Sequence, residues 1–258
     1  MQKTKFNKYI LFTFVAVVFT SCIKNEKIEV IKYGGNTSNE SRHINDEFDK
    51  INVSGNINVI IEQSDDTRVT VITNKGFHNE IKTEVKNGTL YISTITNKTS
   101  FSIFGYKHST TKEAATKKVI VKITRITELE TSDASKIESK GVLKGNAITL
   151  KSSSASEMKL ELEFEKIDSE SSSASKIELK GMALELNANT SSASKIEAED
   201  LLVNSITAQS SSGSQISVHP IVSLNADASS GSLIEYNNNP KQIEKTSSSG
   251  GSINQNSD

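Results

Sequence analysis

Apolar and small residues alternate with polar residues along the C-terminal half of the chain, at a period of two. In one stretch Ile206, Ala208 and Ser210 share one parity, and Thr207 and Gln209 share the other. Side chains alternate between the two faces of a β-strand, whereas a helix needs apolar residues spaced about 3.6 apart. Serine, which is frequent here, also competes with the helical backbone for hydrogen bonds. The pattern therefore predicts strands.

A serine-rich motif recurs seven times in this half, and each copy ends in an apolar residue. These apolar anchors are Ile137, Met158, Ile177, Ile196, Ile216, Ile234 and Ile253. Successive anchors are separated by 21, 19, 19, 20, 18 and 19 residues. A unit this short cannot bury its own apolar face and must stack on its neighbours. The repeat predicts an all-β fold, a single parallel β-helix (β-solenoid) of about ten coils with about 19–20 residues per coil, in which the anchors point inward as one structural stack.

The serine run of each coil has two interpretations. In the first, small residues form a tight corner at which hydroxyls bond local amides. In the second, the hydroxyls form an inward ladder, each bonding the coil above. Parity alone does not separate the two, because a corner can reset parity. Neither makes these serines nucleophiles, since an activated serine needs a base within reach and no histidine accompanies the repeat.

Opposite charges flank the first four anchors. Lys136 and Glu138 flank the first anchor, whereas Glu157 and Lys159 flank the second in the reverse order. In register, this reversal places opposite charges side by side on neighbouring coils, which contributes about 0.2–1 kcal/mol per pair. We expect these charges to support the register rather than to bind a ligand.

Residues 1–22 have the features of a lipoprotein signal segment. A basic start with three lysines precedes an apolar stretch, residues 9–19, that is too short to span a bilayer as a mature helix. The only cysteine, Cys22, follows and resembles the lipidated cysteine of the bacterial lipobox, although Phe19 stands where leucine is usual. Acylation of Cys22, for example by palmitate, would anchor the protein to a membrane. The alternative is an ordinary signal peptide with an incidental cysteine.

The rest of the chain divides into three parts. Residues 23–43 are polar, and we expect a flexible tether there. Residues 44–128 are predicted to form a less regular β part, in which Asn87-Gly88 marks a hairpin turn. Residues 129–258 contain the regular serine-rich coils.

A polar segment over residues 93–117 interrupts the N-terminal β part. It carries three aromatic residues, Phe101, Phe104 and Tyr106. An aromatic-bearing loop that leaves a repetitive scaffold is a candidate binding site. A flap that covers the end of the solenoid is the alternative interpretation.

Charge and residue clusters argue against several functions. The 30 basic and 31 acidic residues give a net charge of −1, and no basic stripe is present, so we expect no nucleic-acid partner. Asp65 and Asp66 with Arg68 come nearest to a carboxylate site of a β-helix enzyme, but this combination is more typical of a turn. The four histidines have no metal-ligand spacing. We therefore predict no catalytic residues, no metal and no cofactor.

Several segments taken in order resemble the head GIN domain family, which is described as auto-transporter adhesins and is common in Bacteroidetes. The resemblance is carried by Val53 to Val59, Val69 to Val71, Ile81 to Ile92, Val119 to Leu129 and the Ser-Ala-Ser and Ser-Gly-Ser coils, and it covers about residues 44–240. It implies a right-handed β-helix that is exported to the envelope. The family brings no catalytic residues to transfer.

These features together predict a non-enzymatic envelope lipoprotein, an adhesin or a surface-binding or structural β-helix. We expect it in the outer membrane, facing the periplasm or the cell surface, with the membrane as one partner through the lipid anchor. The second partner would be a surface, glycan or protein ligand that the sequence does not specify. The alternative function is a carbohydrate-active β-helix enzyme of the polysaccharide lyase or hydrolase type.

Overall fold

The computed structural model describes the backbone of residues 26–95, 98–103 and 106–256, and the side chains of residues 34–95 and 114–256. Nearly all of its regular structure is strand, and the other element is one turn of 3-10 helix, His78–Glu80. Within these ranges no helix is long and apolar enough to cross a membrane. The strands are β1 (Glu26–Tyr33), β2 (Thr37–Arg42), β3 (Lys50–Val53), β4 (Asn58–Gln63), β5 (Arg68–Asn74), β6 (Ile81–Lys86), β7 (Thr89–Thr94), β8 (Lys98–Ile103), β9 (Tyr106–Ala114), β10 (Lys117–Ile123), β11 (Glu128–Thr131), β12 (Lys136–Ser152), β13 (Glu157–Ser171), β14 (Lys176–Thr190), β15 (Lys195–Ser210), β16 (Gln215–Ala228), β17 (Leu233–Tyr236), β18 (Gln242–Ser247) and β19 (Ser252–Gln255).

The C-terminal half is a stack of parallel coils. Strands β11 to β17 pair each with the next, and β19 pairs with β17 while β18 pairs with β16. The predicted β-solenoid is therefore confirmed, with about seven turns. This is fewer than the expected ten, because much of the N-terminal part is antiparallel. There β5 pairs antiparallel with β2 and β10, and β6 pairs antiparallel with β7, so β2, β5 and β6 add no parallel coils. The parallel stack continues into this part through β3 and β7 and through β4 and β10.

Each coil turns at its serine motif through two consecutive residues with positive φ. In one coil these are Ser173 (φ 54°) and Ala174 (φ 60°). This region of backbone conformation is unfavourable for bulky side chains, and the corner positions carry serine, alanine or glycine, except for Asp133 in the first coil. The serines on either side of the corner, Ser171 and Ser175, point inward and are buried. The motif thus forms a corner and an inward ladder at the same time.

The anchors lie in one column at the centre of the coils. Ile137 pairs with Met158, and the register continues through Ile177, Ile196, Ile216 and Ile234 to Ile253. The first six are fully buried, and Ile253 in the last coil is partly buried. Ile137 also pairs with Val59 of β4, so the same column continues into the N-terminal part.

Residues 26–42 correct the expectation of a flexible tether. β1 and β2 both lie in this segment, and β2 pairs antiparallel with β5 along its whole length. Arg42 fixes the end of β2 by donating to the carbonyl oxygen of His78 at 2.6 Å. A polar strand can add to a sheet edge because the pairing is made by backbone groups, so composition alone did not reveal it.

The segment over residues 93–117 is also more ordered than a loop. Its described residues form β8 and β9, which pair antiparallel, and β9 pairs in parallel with β1. These three strands make a separate small sheet. Threonine is frequent in β8 and β9 and favours strands, which is the signal that the loop interpretation missed.

Candidate functional site

The inward-pointing serines of the corners use their hydrogen bonds within the solenoid. Ser175 Oγ donates to the carbonyl oxygen of Ser152 in the preceding coil at 2.7 Å, and lies 2.8 Å from Ser171 Oγ. Ser194 Oγ donates in the same way to the carbonyl oxygen of Ser171, at 2.6 Å. These hydroxyls are buried and already paired. Their role is therefore structural.

A long groove runs along the outside of the same corners, parallel to the stacking direction of the coils. We call it the serine groove. It has a volume of about 650 Å³ and is lined by Glu130, Lys151, Ser152, Ser153, Glu170, Ser171, Ser172, Asn189, Thr190, Ser191, Gln209, Ser210, Ser211, Asp227 and Ser229. All of these lining residues are polar. The groove therefore suits a ligand that is rich in hydrogen-bonding groups.

The groove has a row of serines that differ from the buried ones. These floor serines are Ser153, Ser172, Ser191, Ser211 and Ser229, and each is half-buried. Their backbone N–H groups donate to the preceding coil, for example Ser191 to the carbonyl oxygen of Ser171 at 3.1 Å. Their hydroxyls make no hydrogen bond to any side chain or backbone group of the described residues. Five hydroxyls thus remain available to a ligand.

A second row of longer side chains forms a wall beside the floor serines. It consists of Glu130, Lys151, Glu170, Asn189, Gln209 and Asp227. The first two are engaged, since Glu130 accepts from Asn52 at 2.7 Å and Lys151 donates to Glu128 at 3.0 Å. The hydrogen bond with Glu128 raises the pKa of Lys151. Within the described chain the other four make no hydrogen bond or salt bridge.

Both rows could be found in the sequence by aligning the coils on their anchors. The wall residue lies seven positions before each of the six anchors from Ile137 to Ile234. The floor serine lies five positions before each of the five anchors from Met158 to Ile234. Ser132 occupies the same floor position in the first coil. The serine run by itself does not distinguish outward-pointing from inward-pointing positions, because both are occupied by the same residue type.

A second, apolar surface lies on a different part of the coils. We call it the apolar strip, and its members are Met182, Leu184, Leu202, Ile221 and Val222. They are exposed by 55%, 52%, 45%, 39% and 37% respectively. The first four of these side chains line a groove of about 460 Å³. Such a cluster of exposed apolar side chains is unusual for a surface without a partner.

Ion pairs between coils lie beside the anchor column. Lys136 contacts Glu157 at 2.8 Å, and Lys176 contacts Glu197 at 2.6 Å. Partial burial alone would raise the pKa of Glu157, but hydrogen bonds from Lys136 and Lys159 outweigh it and lower the pKa. Burial and hydrogen bonds from Lys176 and Lys195 act on Glu197 in the same way, and its pKa is also lowered. Because these lysines and glutamates are paired with one another, we do not consider them a ligand-binding site.

The other residues singled out in the sequence do not come together. Asp65, Asp66 and Arg68 are exposed around the turn between β4 and β5, outside both grooves. Phe101 lies in β8 and Tyr106 begins β9, but the structure does not describe these side chains. Phe104 and Cys22 fall outside the described residues. Among the described residues no group of three or more histidine, cysteine, aspartate or glutamate side chains could hold a metal ion.

Several solved structures have the same fold as this chain. One, described as a "putative adhesin" from Bacteroides fragilis NCTC 9343, has a TM-score of 0.75 at 17% identity, covering 87% of this chain and 99% of that one. Another, from Parabacteroides distasonis ATCC 8503 and described as a "putative lipid binding protein", has a TM-score of 0.69 at 21% identity, covering 89% and 100%. A "putative adhesin" from Parabacteroides merdae ATCC 43184 has a TM-score of 0.66 at 17% identity, with 89% and 100% covered. No curated protein matches the chain.

The family match agrees with the fold. Residues 47–240 match the family described as "Putative auto-transporter adhesin, head GIN domain". The matched range includes β3 to β17 and both grooves. Since it spans most of the chain, the protein belongs to the head GIN domain family.

Proposed function

We propose that the protein is a non-enzymatic, lipid-anchored adhesin of the cell envelope that binds its target through an extended face of the solenoid. Family membership supports an adhesin-like role and a location at the cell surface or in the envelope. The observation that carries the proposal is the serine groove, a long open surface with unpaired polar groups. An extended groove of this kind suits a long ligand, whereas a small substrate is usually enclosed in a deep pocket.

A non-enzymatic role is supported by the chemistry of the groove. A serine nucleophile needs a base within hydrogen-bond reach, and no histidine lines the serine groove. The alternative, a polysaccharide lyase or hydrolase, would need two carboxylates or a carboxylate and a cation around one bond. The serine groove does bring Glu130, Lys151 and Glu170 side by side on three adjacent coils. Glu130 accepts from Asn52 and Lys151 donates to Glu128, so Glu170 is the one member of this group without a side-chain partner among the described residues. Asp65, Asp66 and Arg68 are exposed at a turn and line neither groove. If the purified protein cleaves an acidic polysaccharide and Asp65→Asn abolishes the cleavage, the non-enzymatic role is wrong.

The anchor is proposed at Cys22, with the mature protein attached to the outer membrane. The described fold begins at Glu26, only four residues after this cysteine. A lipid at Cys22 would therefore hold the small sheet of β1, β8 and β9 close to the membrane surface. Acyl chains at a single terminus give stable anchoring when two or more are present.

Adhesion can be tested on cells that lack the protein and carry it back in variant forms. Protease treatment of intact cells should release the solenoid, and cells without the protein should adhere less to matrix-coated or glycan-coated surfaces. Complementation with a variant that removes floor hydroxyls, Ser172→Ala/Ser191→Ala/Ser211→Ala, should restore surface display but not adhesion. Full protection from protease in intact cells, with unchanged adhesion of the deletion strain, would overturn the proposal.

The β8–β9 hairpin is the competing location for binding. Deleting residues 97–115 removes this hairpin and the partner strand of β1, while the coils from β11 onward keep their own contacts. If the coil face is the binding surface, the deleted protein should still adhere. If the deleted protein reaches the cell surface in normal amounts and no longer supports adhesion, the hairpin is the binding site instead.

The apolar strip favours a second function, the binding of a lipid. One protein of the same fold is described as lipid-binding, and here Met182, Leu184 and Leu202 line an exposed apolar groove. We would test this with a fluorescent fatty acid. Met182→Ser/Leu202→Ser should abolish its binding, while Ser172→Ala/Ser191→Ala/Ser211→Ala should not. A fatty acid that does not bind the intact protein would remove this candidate.

A further inference from the structure

We propose that the serine groove is a binding site for an uncharged, linear polysaccharide that lies parallel to the stacking direction of the coils. The inference rests on the proposed adhesin function and names the chemical class of its ligand.

The free groups of the groove match the groups of a sugar. The hydroxyls of the floor serines can each donate and accept a hydrogen bond, and none is used inside the described structure. The amides of Asn189 and Gln209 also offer both donors and acceptors, and the carboxylates of Glu170 and Asp227 can accept from sugar hydroxyls. By contrast, the buried hydroxyls of Ser175 and Ser194 are already paired.

The spacing of these groups follows from the coils. Equivalent residues of adjacent coils lie one strand spacing apart, about 4.8 Å. The floor serines from Ser153 to Ser229 therefore form a straight row of about 19 Å. One pyranose unit of an extended glycan advances by a similar length, so consecutive sugars can meet equivalent hydroxyls in consecutive coils. A row of this length fits four or five sugar units.

Charge argues against an acidic polymer. The groove is lined by three carboxylates, those of Glu130, Glu170 and Asp227, and by one ammonium group, that of Lys151. Lys151 already pairs with Glu128 outside the groove. A uronic acid polymer or a nucleic acid would therefore face net repulsion.

The backbone and the lining argue against a peptide. An added β-strand needs unpaired backbone groups, but the N–H groups of Ser172, Ser191 and Ser211 already donate to the preceding coil. A peptide would also need apolar pockets for its side chains, and every residue that lines the groove is polar. The lining contains no aromatic ring either, so we expect each sugar to be held by hydrogen bonds alone. Binding should then be weak for short oligosaccharides and tighten with chain length.

The test measures binding of the purified soluble domain to neutral hexasaccharides (cellohexaose, mannohexaose and xylohexaose), to chitosan hexamer and to hexagalacturonate. We expect at least one neutral hexasaccharide to bind at millimolar concentration and its trimer to bind more weakly. Ser172→Ala/Ser191→Ala/Ser211→Ala should reduce that affinity about tenfold or more, and Asn189→Ala/Gln209→Ala should also reduce it. The matched control, Ser205→Ala/Ser223→Ala/Asn225→Ala, alters the same region of the solenoid outside the groove and should bind normally.

Several outcomes would overturn the inference. These are the absence of binding to every neutral hexasaccharide, tighter binding of hexagalacturonate or chitosan hexamer, and equal affinity of the floor variant and the intact protein. Circular dichroism of each variant shows whether it is folded, and Ser191→Tyr, which fills the groove, gives a second means of blocking it. If cells adhere through the protein and the groove variants adhere equally well, the glycan site is wrong and the adhesin function stands. If intact cells never display or use the protein in adhesion, the function itself fails.

Discussion

The hydroxyl of Ser156 donates a hydrogen bond to the carbonyl oxygen of Thr131, in the preceding coil, at 2.9 Å. The same bond recurs one coil later, from Ser175 to the carbonyl oxygen of Ser152 at 2.7 Å. Each such bond lies beside a corner where two consecutive residues have positive φ. The hydroxyls of the buried serines therefore link successive corners, whereas the hydroxyls of the floor serines do not.

Removing a buried hydroxyl should destabilise the protein more than removing an exposed one. In Ser175→Ala, the buried Ser171 hydroxyl and the N–H of Ser172 both lose a partner. We expect a loss of about 1–3 kcal/mol in the free energy of unfolding, because the buried Ser171 hydroxyl is left unpaired, whereas the N–H of Ser172 keeps its hydrogen bond to the carbonyl oxygen of Ser152. Urea denaturation measures the loss. Ser172→Ala is the control and should change stability by less than about 0.5 kcal/mol. Equal effects of the two variants would contradict the division into buried and free serines.

The anchor column should be least tolerant of truncation at its middle. Ile177 is fully buried between Met158 and Ile196, so Ile177→Ala leaves a cavity and should cost about 2–5 kcal/mol. Ile253 lies in the last coil and is only partly buried, so Ile253→Ala should cost much less. Denaturant midpoints of the two variants provide the comparison. Equal losses at both positions would be incompatible with a linear stack of coils.

Stability should fall in acid, partly through Glu157 and Glu197. Hydrogen bonds from lysines of the same and the neighbouring coil lower the pKa of both carboxylates from the usual value near 4.5. A lowered pKa in the folded state stabilises the protein above the unfolded pKa, and this contribution is lost as pH falls below about 4.5. Glu157→Gln should therefore flatten the dependence of stability on pH in that range. Glu161→Gln, at an exposed carboxylate outside the described ion pairs, should leave the dependence unchanged.

The sequence predicted the coils well because their evidence is repeated. Ile137 and the anchors that follow it are apolar at a nearly constant interval, and stacking is the only way to bury such a short unit. The edge strand β2 was missed because its pairing with β5 uses backbone groups, which leave no mark on residue choice. The serine groove was missed for a different reason. Ser172 and Ser175 are the same residue type, and only the corner geometry determines which points outward.

Gly181 should be difficult to replace, because its backbone conformation and a close contact with the preceding coil both require glycine. Its φ is +109°, and a Cβ atom added there would lie 2.2 Å from the carbonyl oxygen of Leu162 in the preceding coil. Gly181→Ala must therefore shift backbone in two coils, and we expect a loss of more than about 2 kcal/mol in the free energy of unfolding. Gly141 also has positive φ, +81°, but no atom lies within 4 Å of the added Cβ. Gly141→Ala should cost about 1 kcal/mol, from backbone strain alone. Similar thermal unfolding of the two variants would show that the close contact with Leu162 is unimportant.

The lipid anchor can be tested independently of the ligand. Cys22 is the only thiol of the chain and follows an apolar run that is too short to remain as a membrane helix. If this cysteine is acylated, the mature protein should partition into the detergent phase, because each buried methylene of an acyl chain contributes about 0.8 kcal/mol to membrane binding. Cys22→Ser has no thiol to acylate, so it should appear in the aqueous phase or retain its signal segment. Ser21→Ala keeps a small residue before the cysteine and should partition as the unaltered protein does. Should Cys22→Ser be cleaved elsewhere and still enter the detergent phase, the membrane attachment must come from another part of the chain, and the solenoid itself would become the candidate.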